Sequence, residues 1–279
     1  MKVISFVNMK GGVGKTTLAV NVADALNRRK DRSVLLVDID PQFNATQCLY
    51  SGDEYLNLLK HGESTIADVF SDSPTYVVDP IDGKIEIPAK KLSEIEPWEY
   101  RDGLDLLAGN LEIYKIDMGQ GQGRELRLKR YLHKEIDEDA YDYVIIDTPP
   151  TPSHFMNSAL LASSYYLVPV KPEPLSRVGI DLLRGVIDRI SENHAHDIEC
   201  VGVAITLADR RTKVLTEAQT FLDKDPYWSG KRFRADLPHR TQIARDQGSQ
   251  TLILDSGNQD ARTALMSITN ELMERLGDD

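Results

Sequence analysis

Lys10-Gly11-Gly12-Val13-Gly14-Lys15-Thr16-Thr17 follows an apolar run, Val3-Ile4-Ser5-Phe6-Val7, and precedes an amphipathic one from Leu18 to Leu26. Strand, glycine loop and helix in that order are the context of a phosphate-binding loop. Glycines let a tight backbone turn aim successive N–H groups at phosphate oxygens. The helix that opens behind the turn adds its positive end. On this reading Gly11, Gly12, Val13 and Gly14 form the cradle and Lys15 contacts the β- and γ-phosphates. Thr16 ligates Mg²⁺, and Thr17 donates to the α-phosphate. The common loop pattern starts with a glycine at position 9, where this chain has Met; a second lysine, Lys10, opens the loop instead. The other reading is a plain glycine turn with two surface lysines, and the flanking strand and helix argue against it.

Two more strands end in acids. Ser33–Asp38 reads as a buried parallel strand running into Asp38-Ile39-Asp40-Pro41-Gln42. In open α/β sheets the ligand crevice lies at such carboxyl ends. Taken by itself, Asp-x-Asp-Pro is also what a turn with a helix N-cap looks like. Its place one βα unit after the loop favours a site. Tyr143-Val144-Ile145-Ile146-Asp147 is the third constellation, an apolar strand whose terminal Asp147 would hold Mg²⁺ through water and Thr16. With strands at Leu104–Ala108, Tyr165–Val170 and Glu199–Thr206, the pattern specifies an α/β fold, doubly wound around a mostly parallel sheet, with residues 1–279 forming one domain.

The lysine-opened loop resembles that of the deviant P-loop ATPases of the ParA/MinD family, and the resemblance runs almost to the C-terminus. It extends through Asp38, Asp40, Pro41, Gln42, Asn44 and Thr46, and through Asp147-Thr148-Pro149-Pro150, which matches the family's second switch. It implies an ATP-sandwich homodimer in which Lys10 reaches the partner's phosphates. It also implies that Asp40 positions the attacking water, that Asp38 sits near Mg²⁺, and that Pro172 lines the adenine. Many relatives have an asparagine where Ile205-Thr206-Leu207 stands, so Thr206 is the candidate for the base edge. The resemblance further implies slow ATP hydrolysis stimulated by a ParB-like or cargo-adaptor protein, nonspecific DNA binding, and a cytoplasmic protein that joins the nucleoid with ATP.

Composition sets limits. The net charge is −11, which excludes a body that binds nucleic acid over its whole surface. Between Thr206 and Gln250, however, nine basic residues face six acidic ones. That local excess is the pattern of a sequence-independent phosphate-contacting patch, or else of an ordinary mixed surface. Arg210, Arg211, Lys213, Arg234, Arg240 and Arg245 are the DNA candidates. No apolar run reaches the ~18 residues of a membrane span. Met1 leads straight into a strand, leaving no room for a signal peptide. The expected C-terminal helix, Asp260–Leu276, lacks the basic polar face of a MinD-type membrane helix and should pack on the body. Cys48 and Cys200 fit no metal spacing, which sets aside a nitrogenase-type iron–sulfur electron donor. A nucleotide-gated binding module with negligible turnover stays open.

Three expectations concern the intervening chain. Thr75–Ile87 alternates around Asp79–Gly83 like a β-hairpin and would belong to an insertion over residues 72–103, facing a partner or merely tolerated at the surface. Gly119–Gly123 reads as a connector. Arg124–Ile136 reads as one helix whose basic side chains form a solvated face.

Overall fold

The computed structural model describes every residue except 72–73, 80–82, 117–122, 174–175 and 279. Its frame is a seven-stranded sheet. In chain order the strands are β1 (Lys2–Phe6), β2 (Val34–Asp38), β5 (Trp98–Arg101), β6 (Leu104–Leu107), β7 (Tyr143–Asp147), β8 (Tyr165–Val170) and β9 (Glu199–Ile205), and in space they run 5-6-2-7-1-8-9. All neighbours are parallel except the edge pair β5–β6. The expected fold class is therefore the observed one.

The near-continuous apolar strands follow from burial on both faces. Ile4, Phe6, Leu36 and Ile145 point into one core with α1 (Lys15–Lys30) and α10 (Gln259–Arg275). Their neighbours Val3, Leu35, Val37 and Val144 point into another, against α4 (Ile66–Phe70), α5 (Arg127–Arg130) and α6 (His154–Ala162). Further along, β8 and β9 pack on α7 (Ser176–His194) and α8 (Lys213–Lys224). Period-two alternation thus sorts two layers of helices onto the sheet. α10 buries Ala264, Leu265, Ile268 and Leu272, as its spacing predicts. Among the described residues no helix is long and apolar enough to cross a membrane.

The hairpin forms as a separate antiparallel pair, β3 (Thr75–Asp79) and β4 (Gly83–Ile87); most of its turn lies outside the described residues, as does most of Gly119–Gly123. Arg124–Ile136 is not one helix. It starts as a 3-10 turn at Arg124–Leu126, passes through α5, and widens to a π-helix at Tyr131–Glu135. The wider turn, closed by Ile136 N–H on the Tyr131 carbonyl at 3.2 Å, carries Tyr131 and Leu132 into the core beside Leu128. A further 3-10 segment, Leu111–Lys115, is capped by the Asn110 side chain.

Candidate nucleotide and metal site

The loop joins β1 to α1, the chain turning through left-handed Gly12 and Gly14, with φ of 68° and 79°. Gly14 is the N-cap of α1, so the helix dipole opens directly onto the cradle. Asn8 braces the approach: its amide donates to the Pro169 carbonyl at 2.7 Å, and its carbonyl oxygen accepts from Lys10 N–H at 2.9 Å. Thr206 braces the loop from behind. It is fully buried, and its hydroxyl donates to the Val13 carbonyl. Expected at the base edge, it instead supports the phosphate loop. The sequence placed it at the right strand end, but which face it turns to was not legible there.

The carboxylates carry the electrostatics. β2 and β7 are neighbours in a register that sets Asp38 opposite Asp147, and both are fully buried. Asp147 Oδ2 accepts from Thr16 Oγ1 at 2.7 Å; Asp38 Oδ2 accepts from both the N–H and the hydroxyl of Thr46 at 2.8 Å. The Oδ1 atom of each carboxylate is buried with no hydrogen-bond partner. Burial pushes Asp147 up to about 7, against the pull of the Thr16 hydroxyl and Lys15. Asp38 stands well above the usual range through burial and then the charge of Asp147. Lys15, also buried, is lowered by desolvation, with Asp147 and Asp40 opposing. Asp40 is raised by burial, offset by the Gln42 N–H at 2.9 Å and by Lys15.

Two buried carboxylates with orphaned oxygens, beside a threonine hydroxyl, are short of positive charge. That donor set fits a hard divalent cation. Among the described residues no three His, Cys, Asp or Glu side chains converge into an all-protein cage. Mg²⁺ needs none, because it takes one or two carboxylates and completes its shell with water and phosphate. Thr16 and Asp147, joined by their hydrogen bond, are the residues that could hold it. Asp38 has spent one oxygen on Thr46, so it also anchors the turn that carries Asp40.

In front of these groups opens a cleft of about 1000 Å³, floored by Gly11–Thr17 and flanked by Asp40. Its walls include residues that the sequence reading passed over. Phe43 sits at φ 42° and stacks on Tyr55 with ring centroids 5.2 Å apart. Gly109 makes room for it: a Cβ there would come within 2.5 Å of Phe43 Cβ and 2.9 Å of the Asp38 carboxylate. Gln247 closes the other side from α9 (Thr241–Gln247) and accepts from the Thr17 hydroxyl at 3.1 Å. A glutamine in a short uncapped helix gives no local signal.

Lys10 does not line its own cleft. Its side chain lies over Gly179 of α7, with Nζ 3.9 Å from Glu173. Pro172, between Lys171 and Glu173, is half-buried and likewise outside that cleft.

Most of the DNA candidates are already paired. Arg210 and Arg240 both meet Asp260, at 3.7 and 2.8 Å. Arg211 meets Asp209 at 2.8 Å, and Arg234 meets Glu271 at 3.1 Å and also Glu274. Lys213 opens α8 and Arg245 lies in the last turn of α9. Asp260, Glu271 and Glu274 come from α10, outside the window in which the basic excess was counted.

Loop, sheet and paired carboxylates define a P-loop nucleotide-binding protein. A family model described as an AAA domain matches residues 1–200. The sporulation initiation inhibitor protein Soj of Bacillus subtilis is 31% identical over 268 residues, spanning 95% of each chain. The chromosome partitioning protein ParA of Caulobacter vibrioides is 28% identical, over 99% of this chain and 95% of its own. The chain belongs to the ParA family of partition ATPases, within the ParA/MinD superfamily. Among solved structures, a putative plasmid partition protein of Borrelia burgdorferi bound to AMPPNP superimposes with a TM-score of 0.75 at 20% identity, covering 99% and 98% of the two chains. A McdA variant of Cyanothece in complex with ATP reaches 0.77 at 17% identity, covering 100% and 97%. These likenesses extend the fold match over the whole length.

Proposed function

We propose that residues 1–279 act as one Mg²⁺-dependent ATPase unit that forms an ATP-bridged homodimer, binds DNA nonspecifically and releases it on hydrolysis. A ParB-like or cargo-adaptor protein stimulates turnover. The observation that carries this reading is the buried Asp38–Asp147 pair with its orphaned oxygens, set beside Thr16 under a phosphate loop. Thr16 and Asp147 hold the metal, directly or through water. When bound, Mg²⁺ would supply positive charge to offset what develops on the transferring group. Lys15 binds the β- and γ-phosphates from below. Asp40, raised in pKa and at the cleft edge, orients the attacking water. Lys10, turned away from its own cleft, is free to serve the partner's nucleotide. Thr17 exchanges Gln247 for the α-phosphate, and Pro172 meets the base across the dimer. The ATP-bound dimer would sit on the nucleoid in the cytoplasm and the other states would diffuse. Nucleotide drives the switch only because the two states contact the γ-phosphate differently.

The test is retention of the purified protein on nonspecific duplex DNA with ATP, with ADP and without nucleotide, at two salt concentrations. Salt-sensitive retention with ATP alone, lost in Lys15→Ala and prolonged in Asp40→Ala, is the expected result. No retention in any state removes the DNA role and leaves the ATPase. A second reading, positioning of a protein cargo without direct DNA contact, is favoured by one observation: Arg210, Arg211, Arg234 and Arg240 already have acidic partners.

A further inference from the structure

On the far side of the body from the cleft, α5 with its π-helical extension and the ends of α6 and α7 enclose a second groove, beside Ser163 and Ser164 at the amino end of β8. It measures about 590 Å³, within the range of small-molecule sites. The floor is apolar, made by Leu126, Leu161 and Ala162, the last two almost fully buried. The walls are basic. Lys129, Arg130 and Lys134 line them together with His133, His194 and His196, and no acidic residue does.

The basic side chains here are not held in ion pairs, unlike the arginines near α10, although Lys134 also borders Glu135, Asp137 and Glu138 on its other side. Arg130 and Lys134 have no ion-pair partner among the described residues, although the chain as a whole is at −11. Lys129 is held in place without being neutralised. The Nε2–H of His196 donates to the Leu160 and Ser163 carbonyls at 3.0 and 2.9 Å, which leaves Nδ1 bare to accept from Lys129 Nζ at 3.5 Å. The ring of His196 thus fixes Lys129 at the groove wall without supplying a counter-charge. His133 reports the resulting field: its pKa is depressed by burial and next by the charge of Lys129, opposed by a backbone hydrogen bond at Ala162 and by Glu138. His133 and Lys134 belong to the π-helix, a rare turn that recurs at functional sites.

We propose that this groove binds a small phosphomonoester with an apolar or aromatic body. The apolar floor would take the body, while Lys129, Arg130 and Lys134 would take the phosphate.

Phenyl phosphate is the probe, titrated into the full chain kept saturated with ADP so that the first cleft is filled, with the histidine ring signals followed by NMR. The expected result is saturable movement of the His133 and His196 signals in the millimolar range, with phenol alone far weaker. In the double variant Arg130→Ser, Lys134→Ser the affinity should fall roughly fivefold to tenfold, the loss of two exposed charge contacts, with ADP binding unchanged. Movement without saturation, or an equal affinity in the double variant, overturns the proposal. So does movement of the same signals by duplex DNA but not by phenyl phosphate, which would assign the surface to nucleic acid.

Discussion

The nucleotide cleft and the basic surface at residues 206–250 treat charge in opposite ways. In the cleft, Asp38 and Asp147 are buried together and each leaves an oxygen unpartnered, a costly arrangement in a low dielectric. On the surface, where unpaired charge costs little, Arg210, Arg234 and Arg240 are nonetheless matched by Asp260, Glu271 and Glu274. A fold tolerates buried like charges where a ligand will settle them. An arginine that already has a carboxylate partner must give it up before it takes a phosphate, so its contribution to binding is discounted in advance. Uncompensated charge marks a built site more reliably than the number of charges does.

The comparison is broken most readily at Lys15. It is the buried cation facing both Asp147 and Asp40, so Lys15→Ala leaves two carboxylates without their counter-charge as well as removing a phosphate ligand. Loss of one partner of a buried charge pair costs about 3 kcal/mol, roughly a hundredfold in affinity. Titration with a fluorescent ATP analogue should show that loss, and an unchanged affinity would move the nucleotide out of this cleft.

Asp40→Ala separates binding from chemistry. Loss of a residue that orients or deprotonates the attacking water lowers turnover by about a hundredfold or more, while ATP affinity should hold or rise slightly as a raised-pKa carboxyl leaves the site. Single-turnover phosphate release measures the first and ATP titration the second. A fall in affinity with turnover intact would reverse the assigned roles.

The orphaned oxygens predict a proton–metal competition. Asp147 is raised to about 7, so below that pH it is increasingly protonated in the metal-free protein, and Mg²⁺ binds only the carboxylate. The Mg²⁺-dependent part of nucleotide affinity should therefore be flat above pH 7 and weaken by about tenfold for each unit below it. Calorimetry of ADP with and without Mg²⁺ at pH 6, 7 and 8 decides this. Equal Mg²⁺ enhancement at all three would mean that Asp147 does not exchange a proton for the ion.

The same contrast explains what the sequence could and could not disclose. The phosphate loop was legible because strand, glycines, lysine and helix are adjacent in the chain. The acids at the ends of β2 and β7 were legible because each closes a continuous apolar run that is buried on both faces. The hairpin was a local pattern too, and it formed. Phe43, Tyr55 and Gln247 were missed because they reach the cleft from separate elements through tertiary packing. The strand Trp98–Arg101 was missed because a four-residue edge strand leaves little alternation to read. The π-turn at Tyr131–Glu135 answers to the core that must hold Tyr131 and Leu132, which a helical wheel does not contain. For the surface, a window of 45 residues recorded a basic excess whose compensating acids lay on α10, beyond its edge.

That last miss yields the smallest and most discriminating prediction. If the 206–250 surface does bind DNA, its exposed ion pairs must compete with phosphate. Arg234 donates to Glu271 and Glu274, and Glu274 is itself well exposed. Arg234→Ala removes one contact but also frees two acids, whereas Lys213→Ala removes a cation that no acid on α10 restrains. Both should lower the dependence of affinity on salt, Lys213→Ala by close to one counterion and Arg234→Ala by less. Glu274→Gln is the sharper change: it leaves every cation in place and takes away a competitor, so DNA affinity should rise by about twofold to fivefold, the scale of an exposed ion pair. Binding to labelled duplex across a salt series reads all three variants at once. A rise with Glu274→Gln would place DNA on this surface. No change in any of the three would leave the α10 acids as structural partners of these arginines and give the surface to a protein cargo.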